Sequence, residues 1–214
     1  GDRIGAVIAE TEEAAREAVR KVQVEYEELP YSLDVFETLK GTIDNVHPTG
    51  AVFECTDMTT GEKPREEGLV DVRTVTDLSR INHVCMETHA CVADYDKYSG
   101  ELTVYSPNQT VYGIRTMLGD LFGMDYSRIR VIKTTMGGSF GGKQEWVLEP
   151  VTAAAAMRVG RPVKLVYNRT ETMVSTYGRS PMHFESTFTF GKDGSLKGVD
   201  CDLLLDAGAY LGNS

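Results

Sequence analysis

No long apolar run occurs in this sequence. The longest, Ala153 to Met157, falls far short of the roughly 20 residues a helix needs to cross a bilayer, and the first residues carry no basic-then-apolar leader. Positive charge is scarce too: 22 Lys and Arg face 32 Asp and Glu, for a formal net charge of −10. No Lys/Arg cluster breaks that background, which excludes the basic footprint of a nucleic-acid binder. A soluble, cytoplasmic chain with neither membrane nor nucleic acid as partner is expected. Cysteine is sparse as well, with Cys55, Cys85, Cys91 and Cys201 the four in 214 residues. A chain of this length builds a core without disulfides, so reduced, buried thiols are expected. Five residues separate Cys85 from Cys91, which fits neither a CxxC pair nor an iron–sulfur run, while His83 and His89 beside them leave a metal site as the competing reading. Repeats and low-complexity tracts are also missing. What remains, 41% apolar and 25% charged, is a globular composition with enough apolar content for one sizeable core or two small ones.

Along the chain, "RIGAVIAET" (residues 3 to 11) reads as a strand ending at a helix N-cap, Thr11, with Glu12 and Glu13 at the positive end of the helix dipole. "VQVEYEELP" then alternates like a half-exposed strand, completing a β-α-β unit closed by Pro30. Residues 31 to 77 show little periodicity, and Pro48-Thr49-Gly50, Thr59-Thr60-Gly61 and Lys63-Pro64 punctuate them. A connector that long argues for two domains. From Asn82 onward the pattern sharpens. "HACVADY" and "ELTVYS" are strands around a turn at Lys97 to Gly100. Residues 110 to 122 place Val111, Ile114, Leu118, Leu121 and Phe122 on one helical face, with Gly123 as C-cap. "RIRVIKTT" is the next strand, and a helix from about Gln144 to Val159 carries Pro150 in its first turn or kinks there. "PVKLVYN" and a final hairpin, "FESTFTF" to "LKGVDCDLLLDAGA", complete an α+β pattern.

Between strand and helix lies "TTMGGSFGGKQE", residues 134 to 145. Gly137, Gly142 and Lys143 imitate a phosphate-binding loop, but Gln144 stands where a Ser or Thr should meet magnesium, and Ser139 where a dinucleotide fingerprint needs its second glycine. The glycines still suit close backbone approach to an anionic or planar ligand, helped by the following helix N-terminus. Phe140 either points at that ligand or packs into the core of a tight turn. Trp146, Tyr95, Tyr105 and Tyr112 read as core or interface aromatics. Asn108 and Asn168 fall in sequons with no secretory context to give them meaning.

"MGGSFGGK" resembles the GGGFGGK loop of the xanthine dehydrogenase and aldehyde oxidase family of molybdenum hydroxylases. The rest of the chain agrees in order. "GAVIAETEEAAREAVRKVQVEYEELP" is similar to the end of that family's small hammerhead domain. "HVCMETHACVADY", "GELTVYSPNQT" and "GRPVKLVYNRTETMVSTYGRSP" resemble its molybdopterin-binding region. The resemblance implies residues 1–33 as the C-terminal part of a hammerhead-type domain, 34–77 as connector, and 78–214 as the first half of a mixed α/β molybdopterin-binding domain. It implies a molybdenum-pyranopterin cofactor, as molybdopterin or its cytosine dinucleotide, beside Gln109, Gly138, Phe140 and Gly141. No residue here would ligate the metal directly. The substrate pocket would be met by Phe140 and Gln144.

Gln109, with both a donor and an acceptor, matches the glutamine that bonds an oxo group of the metal centre. Gln144 stands where purine-hydroxylating members carry a glutamate, so an amide replaces the substrate-orienting carboxylate unless Glu145 takes over. The family's catalytic base lies near the C-terminus of the full subunit, which leaves no catalytic residue in this chain. Glu87 and Glu149 are read as structural. FAD and 2Fe-2S clusters are expected on other domains or subunits, within an oligomer. Because the sequence opens on Gly1 without methionine and stops after an apolar run, it reads as a fragment, silent alone, with exposed apolar surface around residues 196 to 211. The competing reading is a stand-alone cofactor-binding or assembly module.

Overall fold

A computed structural model describes residues 3–41, 50, 52, 56–64 and 67–209. Cys55, the Pro48-Thr49 part of the first turn and the last five residues lie outside the described residues. The elements follow in the order α1 (Glu12–Arg20), α2 (Val35–Leu39), β1 (Val70–Leu78), β2 (Ala90–Asp96), β3 (Glu101–Ser106), α3 (Val111–Phe122), β4 (Ile129–Lys133), α4 (Glu149–Val159), β5 (Val163–Val166), α5 (Arg169–Ser175), β6 (Met182–Phe190) and β7 (Leu196–Leu205). They form two compact units, one from residues 1–25 and 82–178, the other from residues 26–81 and 179–214.

The first unit is built on a four-stranded sheet of order β4-β3-β2-β5. Strands β2 and β3 pair antiparallel across a tight turn that Gly100 completes at φ 72°, its N–H donating to Asp96 C=O at 2.8 Å. Strand β3 pairs parallel with β4 because α3 carries the chain back across the sheet. Leu102 and Val104 of β3, Ile114 and Leu118 of α3 and Ala153 and Ala156 of α4 are fully buried. Burial of each large aliphatic side chain is worth roughly 1.5–3 kcal/mol. The alanines of α4 let that helix approach the sheet closely over Cys91 and Ala93. Both α3 and α4 end on left-handed glycines, Gly123 (φ 62°) and Gly160 (φ 63°). Helix α5 opens with a capping box in which Asn168 Oδ1 accepts the Glu171 N–H and Glu171 accepts that of Asn168.

The second unit holds a three-stranded antiparallel sheet of order β1-β6-β7. Its register sets Val70, Val72 and Leu78 opposite Phe190, Phe188 and Met182, and Phe184 opposite Leu203. These residues share one face, while Asp71, Arg73, Asp77, His183 and Glu185 share the other.

Several expectations change. Thr11 caps α1, its Oγ1 accepting the Ala14 N–H at 3.2 Å, but residues 3–9 and 22–30 join no sheet among the described residues. A strand needs a partner for its N–H and C=O groups, and none is supplied here, so Ile8, Val22, Val24 and Leu29 stay exposed. The β-α-β unit reduces to its helix. The stretch read as connector contains α2 and ends in a nine-residue strand, β1. Helix α4 starts at Glu149 instead of Gln144, since Pro150 lacks an N–H and its ring excludes a preceding helical turn. Leu121, expected on the buried face of α3, is exposed, as is Tyr112, whereas Tyr95 packs against the core.

Candidate functional site

The glycine loop leaves β4 and turns through three demands on the backbone. Gly138, Phe140 and Gly141 have φ of 95°, 50° and 93°, and Ser139 between them lies outside that left-handed region. A serine therefore replaces a glycine of the pattern without backbone strain. Gly137 and Gly142 serve a different purpose, close approach: a Cβ on Gly137 would lie 2.7 Å from Glu87 Cβ, and one on Gly142 would lie 2.7 Å from His83 Nδ1. The N–H groups of Gly138, Ser139, Phe140 and Gly141 have no partner among the described residues, while Gly142 and Gln144 donate back to Ser139 and Gly141. Phe140 is 76% exposed, so the ring points away from the core. The expected helix dipole is missing from the loop, because bends and irregular backbone occupy residues 144–148 ahead of α4.

The segment after β3 meets this loop. Gln109 N–H donates to Lys143 C=O at 2.9 Å, Asn108 Nδ2 to Glu145 C=O at 3.0 Å, and Thr110 Oγ1 to Gln144 C=O at 2.7 Å. Gln109, the loop and Gln144 are thereby brought together, with the Gln109 and Gln144 residues exposed. Asn108 is buried by these bonds. Glu149, also buried, accepts from Ser106 Oγ at 2.6 Å and from the N–H groups of Val147 and Leu148. That carboxylate serves the local fold.

Beneath the loop lies the stretch 83–89. Cys85 Sγ donates to Ser139 C=O at 3.2 Å. His89 Nε2 meets Gly142 C=O at 2.9 Å, which places the ring proton on Nε2, and leaves Nδ1 buried and unpartnered. Burial, then the nearby Lys143 charge, pushes the His89 imidazole below its usual range against the pull of that hydrogen bond. Glu87 accepts from Lys143 Nζ and from the Gly137 N–H. Burial raises its carboxyl, and the Lys143 and Gly137 hydrogen bonds override this and hold it below the usual range. Cys91 sits apart in the core, where burial and then the Glu149 charge push its thiol up to about 12. The two histidines and two cysteines thus serve backbone and core, and no group of three His, Cys, Asp or Glu side chains gathers among the described residues. Sequence reading missed the role of His83, Cys85 and His89. The only signal was their clustering, which suggested a metal.

Residues 46–214 match the family described as the molybdopterin cofactor-binding domain. The chain belongs to that family. It is 35% identical to a probable xanthine dehydrogenase subunit of Bacillus subtilis (strain 168), over 98% of this chain and 28% of that protein. It is 30% identical to the xanthine dehydrogenase molybdenum-binding subunit of Escherichia coli O157:H7, over 99% of this chain and 28% of that subunit. The aldehyde oxidoreductase of Desulfovibrio gigas superposes with a TM-score of 0.77 at 26% identity, covering 92% of this chain and 22% of that one. This molybdopterin cofactor-binding chain therefore spans about a quarter of the length of these relatives. No helix among its described residues is long and apolar enough to cross a membrane.

Proposed function

We propose that this chain is a portion of the molybdenum-binding subunit of a cytoplasmic hydroxylase, acting on a purine, another N-heterocycle or an aldehyde. On this reading residues 1–33, 34–77 and 78–214 divide as hammerhead-type piece, connector and cofactor domain. FAD and 2Fe-2S clusters sit on other domains or subunits of an oligomer, and the portion alone is inactive. The observation that supports it most is the bond from Gln109 N–H to Lys143 C=O at 2.9 Å, which ties the glutamine turn to the glycine loop.

The residues fit a pyranopterin. Four consecutive loop N–H groups without a partner among the described residues offer donors to its polar edge, and left-handed Gly138 and Gly141 let the backbone approach without a Cβ. When bound, the molybdenum group supplies two-electron oxidation with oxygen taken from water. Gln109 would hold that group through a neutral amide, able to donate or accept without adding charge. The exposed Phe140 ring would bound the substrate pocket and help to exclude water. Gln144 would orient a ring nitrogen or carbonyl by hydrogen bonding. The base that moves the proton lies outside this chain.

Replacing Gly141 by Val in the full-length protein tests the loop's placement. A branched side chain at φ 93° is strained wherever it points, so cofactor retention is expected to be lost. Molybdenum content equal to that of the unaltered protein would contradict the placement.

A further inference from the structure

Lys143 closes the glycine loop with its side chain only 2% exposed, and its Nζ lies 2.5 Å from Glu87 Oε2. The same oxygen accepts the Gly137 N–H at 3.1 Å, while Gly137 C=O accepts the Glu87 N–H at 3.2 Å. One carboxylate oxygen therefore holds both the first glycine of the loop and its last residue. A cationic side chain so deeply buried is accommodated by a partner of opposite charge. Between the two anchored ends sits Phe140 at φ 50°, a conformation that a non-glycine residue keeps only when its surroundings impose it. The surroundings here are Glu87 at the ends, Cys85 on Ser139 and His89 on Gly142.

We propose that Glu87 and Lys143 are the positioning residues of the loop, an ion pair that closes its ends and so fixes the outward setting of Phe140 and the open N–H groups of Gly138 to Gly141. Neither side chain is asked to touch substrate or to transfer a proton. The functional consequence rests on the reading of the loop as a cofactor and substrate wall, whereas the mechanical role does not.

The test uses the full-length protein and reads backbone hydrogen exchange at the partnered loop amides of Gly142 and Gln144, melting temperature and molybdenum and pterin content on one sample. Glu87→Gln leaves the buried Lys143 charge without its counter-charge, and a loss of folding in that single variant is what an unpaired buried charge would cause. Lys143→Met leaves Glu87 partly exposed and still accepting the Gly137 N–H. The double variant Glu87→Gln/Lys143→Met removes both charges at nearly constant volume, so it carries the decision. It is expected to melt within about 3 °C of the unaltered protein, with β3 and α3 amides unchanged and the loop amides exchanging about tenfold faster. Cofactor content should fall with it.

Loop exchange in the double variant at the unaltered rate would overturn the proposal, whatever the metal content. Loss of folding in the double variant would overturn it too, by assigning the pair to global stability. Faster loop exchange in a protein that never carries molybdenum would uphold the positioning role and reject the function proposed above.

Discussion

At the scale of single residues the loop separates two uses of glycine. Gly141 is required by its φ of 93°, Gly142 by the His83 ring beneath it. The nearest atoms to a Cβ at Gly142 are Nδ1, Cγ and Cβ of His83, the last at 3.2 Å, so the clash falls on the root of the side chain and cannot be relieved by moving its tip. Gly142→Ala is expected to cost about 1–3 kcal/mol, measured by denaturant unfolding of the full-length protein with the m-value checked for constancy. Stability unchanged by Gly142→Ala would mean that His83 does not pack there. The glycines and Phe140 could be picked out in the sequence because unusual residues in a strand-to-helix turn mark it locally, whereas Gln109 and Gln144 were pointed out only by the resemblance to the molybdenum hydroxylases. The seat under them could not. Its contacts link residues 50 to 56 positions apart, as between Glu87 and Gly137 or Lys143, and no periodicity reports such a pairing.

Elements read well where local chemistry punctuates them. Helices α1 and α3 have their ends set by Thr11 and Gly123, and the β6–β7 hairpin by its Gly191 to Gly194 turn, whereas α5 went unread although Asn168 and Glu171 form its capping box. Strand β1 escaped because threonines at 74 and 76 continue the face begun by Val70 and Val72, while Val75 falls on the other side and breaks the alternation. The segments at 3–9 and 22–30 carry the alternation without a partner to pair with. On the polar face of the β1-β6-β7 sheet, His183 Nδ1 lies 2.6 Å from Asp77, its Nε2 3.6 Å from Glu185, which also meets Arg73, and Phe36 packs edge-on at 5.1 Å. The Asp77 hydrogen bond raises the His183 imidazole above its ordinary range. A group raised on folding contributes stability that is full below the unfolded value of about 6.5 and disappears as pH climbs through the folded value. NMR titration should show the His183 midpoint above that of a free imidazole and returning toward it in Asp77→Asn. An identical midpoint in both proteins would remove Asp77 as the cause.

The whole molecule shows an imbalance that fits a portion of something larger. One unit has a dense core under α3 and α4, but the other leaves Val70, Val72, Val199 and Leu203 between 45% and 55% exposed along the apolar face of its sheet. Antiparallel sheets normally cover such a face. The 214-residue chain purified alone is therefore expected to bind a hydrophobic dye and to associate, and Val72→Lys/Leu203→Lys should weaken both in dye titration and gel filtration. A monodisperse, dye-silent chain would contradict an uncovered face. The most direct measurement on the proposed function is molybdenum and pterin analysis of the full-length protein from its own source, with the intact chain mass determined on the same sample. Stoichiometric molybdenum with an organic pterin on a chain much longer than 214 residues is the expected result. A native chain of about this length carrying neither would contradict the hydroxylase reading and leave a binding or assembly module.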